Sequence, residues 1–166
     1  TGVLRWERRV DVHPATMITA SPVVHENRVY LSVSSFEETS AWAPTYDCCS
    51  FRGSVVALAT LTGEVVWKTY LIPESAELTG RSPYGVPPYG PSGAGVWSPV
   101  TIDIERGYLY ATTGDAYSRP ASANSDAVVA LSVDTGAIVW SWQATADAAY
   151  TNACLDPCLL YTSPSP

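Results

Sequence analysis

Hydrophobic positions along this chain occur in short runs rich in Val, Tyr and Trp, and Gly, Asp and Asn separate the runs. Such runs, bounded by turn residues, are typical of β-strands. They predict eight strands, at residues 21–24, 28–34, 54–60, 64–70, 98–102, 108–113, 127–132 and 137–143. No stretch carries Ala, Leu, Glu and Lys in the periodic array of a long amphipathic helix. The pattern therefore indicates an all-β protein.

An internal repeat organises these strands. Residues 55–68 read VVALATLTGEVVWK and residues 128–141 read VVALSVDTGAIVWS. In both, Thr-Gly is followed by Trp five residues after the Thr, and the same spacing relates Thr1-Gly2 to Trp6. Each copy predicts a β-hairpin in which Gly takes a positive φ at the turn. The Trp at the end of each hairpin suits packing between neighbouring sheets.

Each repeated hairpin follows another one, at residues 21–35 and 97–115, and both earlier hairpins contain Ser-Pro-Val near their start. Four-stranded units that end in a Trp-bearing strand are typical of β-propeller blades. We therefore predict a propeller fragment with one blade over 21–70 and another over 97–143. Residues 3–10 are predicted as one strand of a third blade.

Two insertions interrupt this pattern, at residues 36–53 and 71–96, and long ordered loops of this kind often carry function. Composition narrows the range of functions. The formal net charge of −7 argues against nucleic-acid binding, which needs a basic face. No apolar run approaches the roughly 18 residues of a membrane span. With 46% hydrophobic and 15% charged residues, the chain is not of the disordered class.

The two ends of the sequence predict a segment of a longer protein. The chain opens on Thr1, and its only methionine is Met17. The final residues, CLLYTSPSP, fit no blade and resemble a translated sequencing adapter of the kind found in metagenomic gene sequences. We expect residues 1–157 to be native and residues 158–166 to be a foreign tail.

The repeat and three loop motifs, GPSGAGVWSP, TGDAYS and CCSFRGSVVAL, resemble the pyrroloquinoline-quinone (PQQ) dependent quinoprotein alcohol dehydrogenases, and most of all their polyvinyl-alcohol dehydrogenase branch. The resemblance implies an eight-bladed periplasmic enzyme that holds PQQ and calcium on the propeller axis. Its substrate would be an alcohol, including secondary hydroxyls of a polymer, and its electron acceptor a cytochrome c or a similar carrier. The family's catalytic Asp lies in a later blade, so the base is expected beyond residue 157 and this chain alone is expected to be inactive.

The resemblance also assigns residues to the cofactor. Trp97 matches the Trp that floors the quinone, and a flat indole suits a planar ring system. The alternative is a structural blade Trp, although Trp97 lies outside the Thr-Gly-Trp spacing. Thr19 and Ser35 match hydroxyls that bond the cofactor carboxylates.

Two carboxylates match the family's calcium ligands, Glu38 and Asp115, and calcium prefers oxygen donors. Asp115 stands where the family more often has Asn, and it is equally placed to be a turn residue bonded to its own backbone. Glu38 follows Glu37, and both are alternatively solvated surface carboxylates. Which of the two faces inward depends on geometry at the strand end.

Cys48 and Cys49 are adjacent, a spacing that no zinc site requires. The resemblance implies a vicinal disulfide over the quinone face opposite the Trp floor. Bridges to other loops and buried thiols are the alternatives. Arg52 has the forked guanidinium that suits a PQQ carboxylate or quinone oxygen, and it can equally pair with Asp47.

Three further residues receive weaker assignments. Cys154 has no evident partner, and the family would supply one further downstream. His13 and His25 stand singly in turn-like stretches and are expected at the surface.

Three functions compete at this point: the quinoprotein dehydrogenase, a non-enzymatic PQQ-repeat propeller that binds protein partners as a scaffold, and a calcium-stiffened propeller that binds a sugar or polymer. The matched loop residues favour the enzyme, because a scaffold needs none of them. The enzyme hypothesis makes a geometric prediction. If the chain is such an enzyme, five residues should lie close together at one end of the blades' inner edge: Trp97, Glu38, Asp115, Cys48 and Cys49.

Overall fold

The computed structural model describes residues 2–43, 45–80 and 87–151. These residues form antiparallel β-structure with a single short helix among them. In chain order the elements are β1 (Thr16–Met17), β2 (Val23–His25), β3 (Arg28–Ser35), α1 (Glu37–Ser40), β4 (Ser54–Ala59), β5 (Val65–Tyr70), β6 (Glu77–Leu78), β7 (Tyr89–Gly90), β8 (Ser92–Gly93), β9 (Thr101–Asp103), β10 (Tyr108–Thr112), β11 (Ala116–Ser118), β12 (Ala127–Ser132) and β13 (Ile138–Gln143).

The main strands build two four-stranded meanders. In the first sheet β2, β3, β4 and β5 follow one another, and β1 pairs with the end of β3. In the second sheet the order is β9, β10, β12 and β13. Two short pairs, β8 with β11 and β6 with β7, come from the insertions and the loop after β10. All eight predicted strands are present, so the all-β prediction is confirmed.

Residues 3–10, which were predicted to be a strand, form no strand ladder in the structure. No other described strand lies beside them, and they attach to the first sheet through side chains instead. The Trp6 indole N–H donates to the Thr60 carbonyl at 2.9 Å, and Arg8 donates to the Gly63 carbonyl at 2.9 Å. This segment therefore packs on one face of the first sheet, where Trp6 and Val10 join the buried residues of β3 and β4, and it does not extend the sheet.

The repeated Trp and Gly residues dock one unit on the next. The Trp67 indole N–H donates to the Val133 carbonyl at 3.1 Å, and its ring covers Gly136. The ring of Trp6 covers Gly63 in the same way. Both glycines have positive φ, 69° and 71°, and a Cβ on either would lie 2.5 Å from the covering ring. The repeat thus requires Gly for two reasons, backbone conformation and contact with the Trp.

The main core lies between the two sheets. Its buried residues are Tyr30, Val55, Ala57, Trp67, Leu71, Val96, Val100, Leu109, Ala111, Ala127, Val129 and Leu131. Tyr30 and Trp67 pack with ring centroids 5.9 Å apart, and the second sheet repeats this pair as Tyr110 and Trp140 at 5.8 Å. Tyr30 is 1% exposed, whereas Trp140 is 42% exposed. The outer face of the second sheet therefore presents the same docking surface that the first sheet buries.

A second core covers the opposite face of the first sheet. Its buried members are Leu31, Val33, Ala41, Cys48, Cys49, Phe51, Val56, Leu58 and Tyr117. Four of them, Ala41, Cys48, Cys49 and Phe51, come from the 36–53 insertion, and Tyr117 comes from β11. The insertion is thus an ordered part of the core, and it brings the end of β3 close to β11.

A buried ion pair joins the N-terminal segment to β5. The carboxylate of Asp11 pairs with the ammonium group of Lys68 and accepts the His13 backbone N–H at 2.8 Å. Burial alone would raise the pKa of Asp11, but the hydrogen bonds and charge of Lys68, with the His13 bond, hold it below its usual range. Asp11 is therefore stabilised as a carboxylate in the folded chain.

Replacing Asp11 by Asn is expected to lower the free energy of unfolding by about 3 kcal/mol at pH 7, because it leaves the Lys68 charge without its partner. Since folding lowers this pKa, the contribution is complete above the unfolded value of about 3.9 and disappears as the pH falls through the folded value. Urea unfolding at a series of pH values measures this. A loss in stability that stays constant down to acidic pH, or that also follows Glu105→Gln at the surface, would refute the assignment.

Among the described residues, no helix has the length and apolar character needed to cross a bilayer.

Candidate functional site

The candidate site lies where β3 ends, beside the glycine-rich stretch that leads to Trp97. A Cβ on Gly95 or on Gly114 would lie 3.2 Å or 3.1 Å from the Trp97 indole nitrogen. The Gly114 N–H donates to the Gly95 carbonyl at 2.9 Å, which holds the two backbones together. The indole edge thus rests on bare backbone, and the ring is half-buried. The Phe36 ring packs beside it, with centroids 5.6 Å apart and a tilt of 44°.

Hydroxyl groups lie at the Trp97 backbone and at the end of β3. The Thr19 hydroxyl donates to the Trp97 carbonyl at 3.3 Å and lies 3.3 Å from the Ser34 hydroxyl. The Ser35 hydroxyl accepts the Glu37 backbone N–H at 3.3 Å, and the Ser35 carbonyl accepts the Tyr117 hydroxyl at 3.2 Å. Thr19 is therefore exposed at the Trp97 backbone, while Ser35 is buried and joins β3 to α1 and β11.

The helix α1 separates the two adjacent carboxylates. Successive residues in a helix point about 100° apart around its axis. Glu37 consequently turns into the second core and is fully buried, whereas Glu38 remains half-buried and faces Tyr117 and Asp115. The alternative of two solvated surface carboxylates is wrong for Glu37.

Glu37 is saturated with hydrogen-bond donors. The Ser50 N–H donates to both carboxylate oxygens at 2.9 and 3.0 Å, and the Phe51 N–H donates to Oε2 at 2.7 Å. The Tyr46 hydroxyl and the His13 Nε2 reach Oε1 at 3.2 and 3.3 Å. Burial acts to raise the pKa of Glu37, yet these donors outweigh it and lower that pKa. Glu37 is therefore an internal anion with little capacity left for a metal.

Glu38 is the opposite case. Its Oε2 atom is buried and has no hydrogen-bond partner among the residues that the structure describes. Burial raises the pKa of Glu38, and the negative charges of Glu37 and Asp115 add to the effect. The Tyr117 hydroxyl, which donates to the Ser35 carbonyl, lies close enough to Glu38 to act on its pKa in the opposite direction. A carboxylate that is buried, underbonded and next to other anions suits a bound cation.

Asp115 extends this acidic region and interacts with a residue that the sequence interpretation missed, Asp126. Burial, together with the charge and proximity of Asp115, raises the pKa of Asp126 to about 6. The Oδ2 atom of Asp126 is buried and has no hydrogen-bond partner among the described residues. Asp126 therefore binds a proton more readily than an ordinary aspartate does. No local motif marks Asp126, since it simply precedes a predicted strand.

The structure limits how much of a metal site this chain supplies. Within residues 2–43, 45–80 and 87–151, no three His, Cys, Asp or Glu side chains converge on one point. Calcium takes six to eight oxygen ligands. Glu38 and Asp115 therefore fit two positions of such a shell at most, and the remaining donors must come from outside the described side chains.

Cys48 and Cys49 form a vicinal disulfide, as the resemblance implied. Both residues are buried, and the backbone of Tyr89 pairs with theirs: the Tyr89 N–H donates to the Cys48 carbonyl at 2.9 Å, and the Cys49 N–H donates to the Tyr89 carbonyl at 3.3 Å. Phe51, two residues further on, stacks with Tyr117 at 6.3 Å between ring centroids. The disulfide thus belongs to the same core as the tyrosine beside Glu38.

Arg52 lies apart from this cluster. Its guanidinium stands 4.0 Å from the centroid of the Tyr70 ring and donates to the Ile72 and Pro73 carbonyls at 3.3 and 2.8 Å. These contacts hold it at the end of β5. Neither a position beside Trp97 nor a pairing with Asp47 is among them, and its assignment to the quinone stays a prediction.

The surface assignment of His13 is wrong. Its side chain is only 15% exposed, and it contacts Glu37 with one ring nitrogen while the other accepts the Ala15 N–H at 3.2 Å. The sequence around His13 is turn-like and does not indicate a contact with Glu37, which lies 24 residues further along the chain. Cys154 and the expected foreign tail at 158–166 lie outside the described residues.

The structure therefore brings together most of the predicted site. Thr19 bonds the Trp97 backbone near the end of β3, which is Ser35. The charge of Asp115 raises the pKa of Glu38. Tyr117 bonds Ser35 and stacks with Phe51, and so connects this region to the loop that carries the disulfide. Over residues 2–150 the sequence matches the family described as PQQ: Glucose/ethanol/alcohol dehydrogenase, beta-propeller domain. The chain belongs to this family.

Two curated relatives of this PQQ-propeller chain are polyvinylalcohol dehydrogenases, one from Pseudomonas sp and one from Sphingopyxis sp. (strain 113P3). Each is 36% identical over 154 residues, which is 93% of this chain and 24% of the relative. The chain thus spans about a quarter of the length of the curated relatives that it matches.

Solved structures of quinoproteins share the fold. A quinohemoprotein alcohol dehydrogenase from Pseudomonas putida HK5 matches with a TM-score of 0.61 and 24% identity, over 86% of this chain and 22% of that one. The quinohemoprotein alcohol dehydrogenase of Comamonas testosteroni gives 0.55 at 21% identity, over 80% of this chain and 21% of that one. A europium-containing methanol dehydrogenase matches with a TM-score of 0.53 and 19% identity, over 82% of this chain and 27% of that one. These likenesses establish that the two sheets are propeller blades.

Proposed function

We propose that this chain forms part of the cofactor site of a PQQ- and calcium-dependent alcohol dehydrogenase. The observation that carries the proposal is the buried Glu38 carboxylate, whose Oε2 lacks a partner among the described residues and which lies under the influence of Asp115. Family membership and the two polyvinylalcohol dehydrogenase relatives supply the cofactor and the reaction class.

The residues present fit a planar quinone. The indole of Trp97 is a half-exposed flat surface backed by Gly95 and Gly114, and it would form the floor. The Thr19 hydroxyl beside it would bond a carboxylate of the cofactor. The loop of the Cys48–Cys49 disulfide, tied to Tyr117 through Phe51, would cover the other face.

The residues also fit part of a calcium site. Glu38 would supply its underbonded oxygen and Asp115 a second ligand, and the remaining donors would come from outside the described side chains. Asp126 lies close to Asp115, and its raised pKa would reduce the excess negative charge of this region.

When bound, PQQ and calcium would supply a hydride acceptor whose carbonyl is polarised by the metal. The side chains of this chain bind and orient rather than transfer protons. Trp97 would fix the plane of the cofactor, Tyr117 packs beside Glu38, and the buried disulfide would exclude water from one side. The general base is assigned to a part of the protein outside this chain.

Three finer assignments complete the proposal. The substrate is an alcohol, with the secondary hydroxyls of a polymer favoured by the polyvinylalcohol dehydrogenase relatives. The electron acceptor is a cytochrome c or a similar carrier. The compartment is the periplasm, which a structural disulfide favours because it needs an oxidising environment.

The test uses the full-length protein that contains this chain, supplied with PQQ and Ca²⁺ and assayed by dye-linked oxidation of a secondary alcohol and of polyvinyl alcohol. We expect quinone-dependent activity in the wild type. Trp97→Ala should weaken PQQ binding about ten- to hundredfold, because one face of the quinone loses its stacking surface. Quenching of intrinsic fluorescence by PQQ measures the affinity.

Trp42→Ala is the matched control, because this indole is 69% exposed and has no part in the proposed site. Its quinone affinity should equal that of the wild type. A wild-type protein that binds no quinone would overturn the proposal and favour the protein-binding scaffold instead.

A further inference from the structure

We propose that Glu37 is a positioning residue that locks the loop carrying the Cys48–Cys49 disulfide, the disulfide loop, onto the end of β3. It thereby fixes two parts of the proposed site at once: the disulfide and, through Tyr117, Glu38. The consequence for quinone affinity rests on the proposed function. The anchoring itself rests only on the contacts of Glu37 with the loop.

The first step of the argument is the target of the hydrogen bonds. Glu37 binds the backbone N–H groups of Ser50 and Phe51, the two residues that directly follow the disulfide. Backbone amides cannot rotate away as side chains can, so these bonds define the position of the loop. With distances of 2.7 to 3.0 Å to a buried carboxylate, they belong to the stronger, charge-assisted class.

The second step is what moves together with the loop. Phe51 stacks with Tyr117, and the Tyr117 hydroxyl bonds the Ser35 carbonyl and interacts with Glu38. A shift of the loop at Phe51 would therefore displace the tyrosine that lies beside Glu38. The buried carboxylate of Glu37 thereby connects the disulfide with Glu38, the carboxylate proposed to bind the metal.

The third step is why the residue must be a carboxylate. Glu37 accepts donors from two segments: the His13 ring of the N-terminal segment, and the Tyr46 hydroxyl with the amides of residues 50 and 51 in the insertion. All of these groups approach as donors, and a carboxylate is acceptor-only with two oxygens. A glutamine would turn an NH₂ group towards one of these sets and leave a buried N–H without an acceptor. The two adjacent glutamates therefore have different roles: Glu37 positions the disulfide loop, and Glu38 faces Tyr117 and Asp115.

The experiment measures the rate at which the Cys48–Cys49 disulfide is reduced under native conditions. Both cysteines are at most 2% exposed, so reduction requires the loop to open. In the full-length protein, Glu37→Gln should speed reduction by a water-soluble phosphine about tenfold or more. Tyr46→Phe, which removes a single hydroxyl bond, should speed it only about twofold to threefold. Mass spectrometry after thiol alkylation gives the rates.

Two controls separate loop anchoring from general destabilisation. Glu105→Gln changes an exposed glutamate and should leave the rate unchanged. Thr69→Val removes the 2.6 Å bond from the Thr69 hydroxyl to the Gly136 carbonyl, on the inter-sheet side. It should lower the urea midpoint with little effect on reduction. Equal acceleration by Thr69→Val and Glu37→Gln at matched loss of stability would overturn the proposal.

Quinone affinity supplies an independent readout. If PQQ binds the wild type, Glu37→Gln should weaken it about tenfold while the urea midpoint stays above the assay conditions. Unchanged PQQ affinity together with fast disulfide reduction in Glu37→Gln would overturn the claim that Glu37 fixes both the disulfide and Glu38. If the wild type binds no PQQ, the proposed function fails, and the reduction rates still decide whether Glu37 anchors the loop.

Discussion

Replacing Glu38 by Gln in the full-length protein is expected to lower the calcium-dependent rate of alcohol oxidation by about a hundredfold or more. The reason is that Gln keeps the shape but removes one of the two carboxylates assigned to the metal, and metal polarisation contributes several kcal/mol at about 1.4 kcal/mol per tenfold in rate. Steady-state assays across a calcium titration measure both the maximum rate and the calcium concentration for half activation. Excess calcium should not restore the wild-type rate.

The stability of this variant distinguishes a lost ligand from a damaged fold. Burial raises the pKa of Glu38, so without metal the ionised carboxylate is less stable in the folded chain than in the unfolded chain. Glu38→Gln should therefore leave the metal-free urea midpoint equal to that of the wild type or above it. A lower midpoint, or an unchanged calcium response, would contradict the assignment. Glu105→Gln serves as the exposed control and should change neither quantity.

Truncating Trp67 to Ala is expected to give the largest loss of stability in the chain, about 3–5 kcal/mol in the free energy of unfolding. Its ring packs on Tyr30 and on Gly136, and its N–H bonds the Val133 carbonyl, so one truncation removes contacts to both sheets. Urea unfolding of the full-length protein, followed by far-UV circular dichroism, measures the change.

A second variant tests the same contact from the other side. Gly136→Ala keeps the Trp but places a Cβ 2.5 Å from its ring at a φ of 71°, and it should also destabilise the protein, by about 1–3 kcal/mol. Trp42→Ala removes an equally large but exposed ring and should stay within about 0.5 kcal/mol of the wild type. Wild-type stability in Trp67→Ala would show that the sheets do not dock through this residue.

The blade elements were accessible from sequence because their signals are local. Alternating strands, the Thr-Gly turn and the Trp five residues later all lie within one hairpin, and the structure places Trp67 over Gly136 as the repeat requires. Residues 3–10 show the limit of this reasoning. Strand patterning is present there, but a strand forms only where a partner offers its backbone, and the described chain provides none.

The candidate site was accessible only in part. Trp97, Glu38 and Asp115 could be selected by their resemblance to family motifs. The partners that define their environment come from distant positions: Tyr117 reaches the Ser35 carbonyl across 82 residues, and Asp126 carries no motif. Such contacts depend on how the loops pack, and packing has no periodic signature in the chain.

From its residue order alone, this protein can be assigned to the all-β class, divided into repeated four-stranded units and compared with quinoprotein dehydrogenases, because each signal is short-range and repeated. The division of labour between Glu37 and Glu38 could not be reached in that way. It arises because α1 turns two neighbouring side chains about 100° apart, so that one meets the amides of the disulfide loop and the other meets Tyr117 and Asp115. Adjacent identical residues differ only in what the folded chain packs against them, and tertiary structure alone supplies those neighbours.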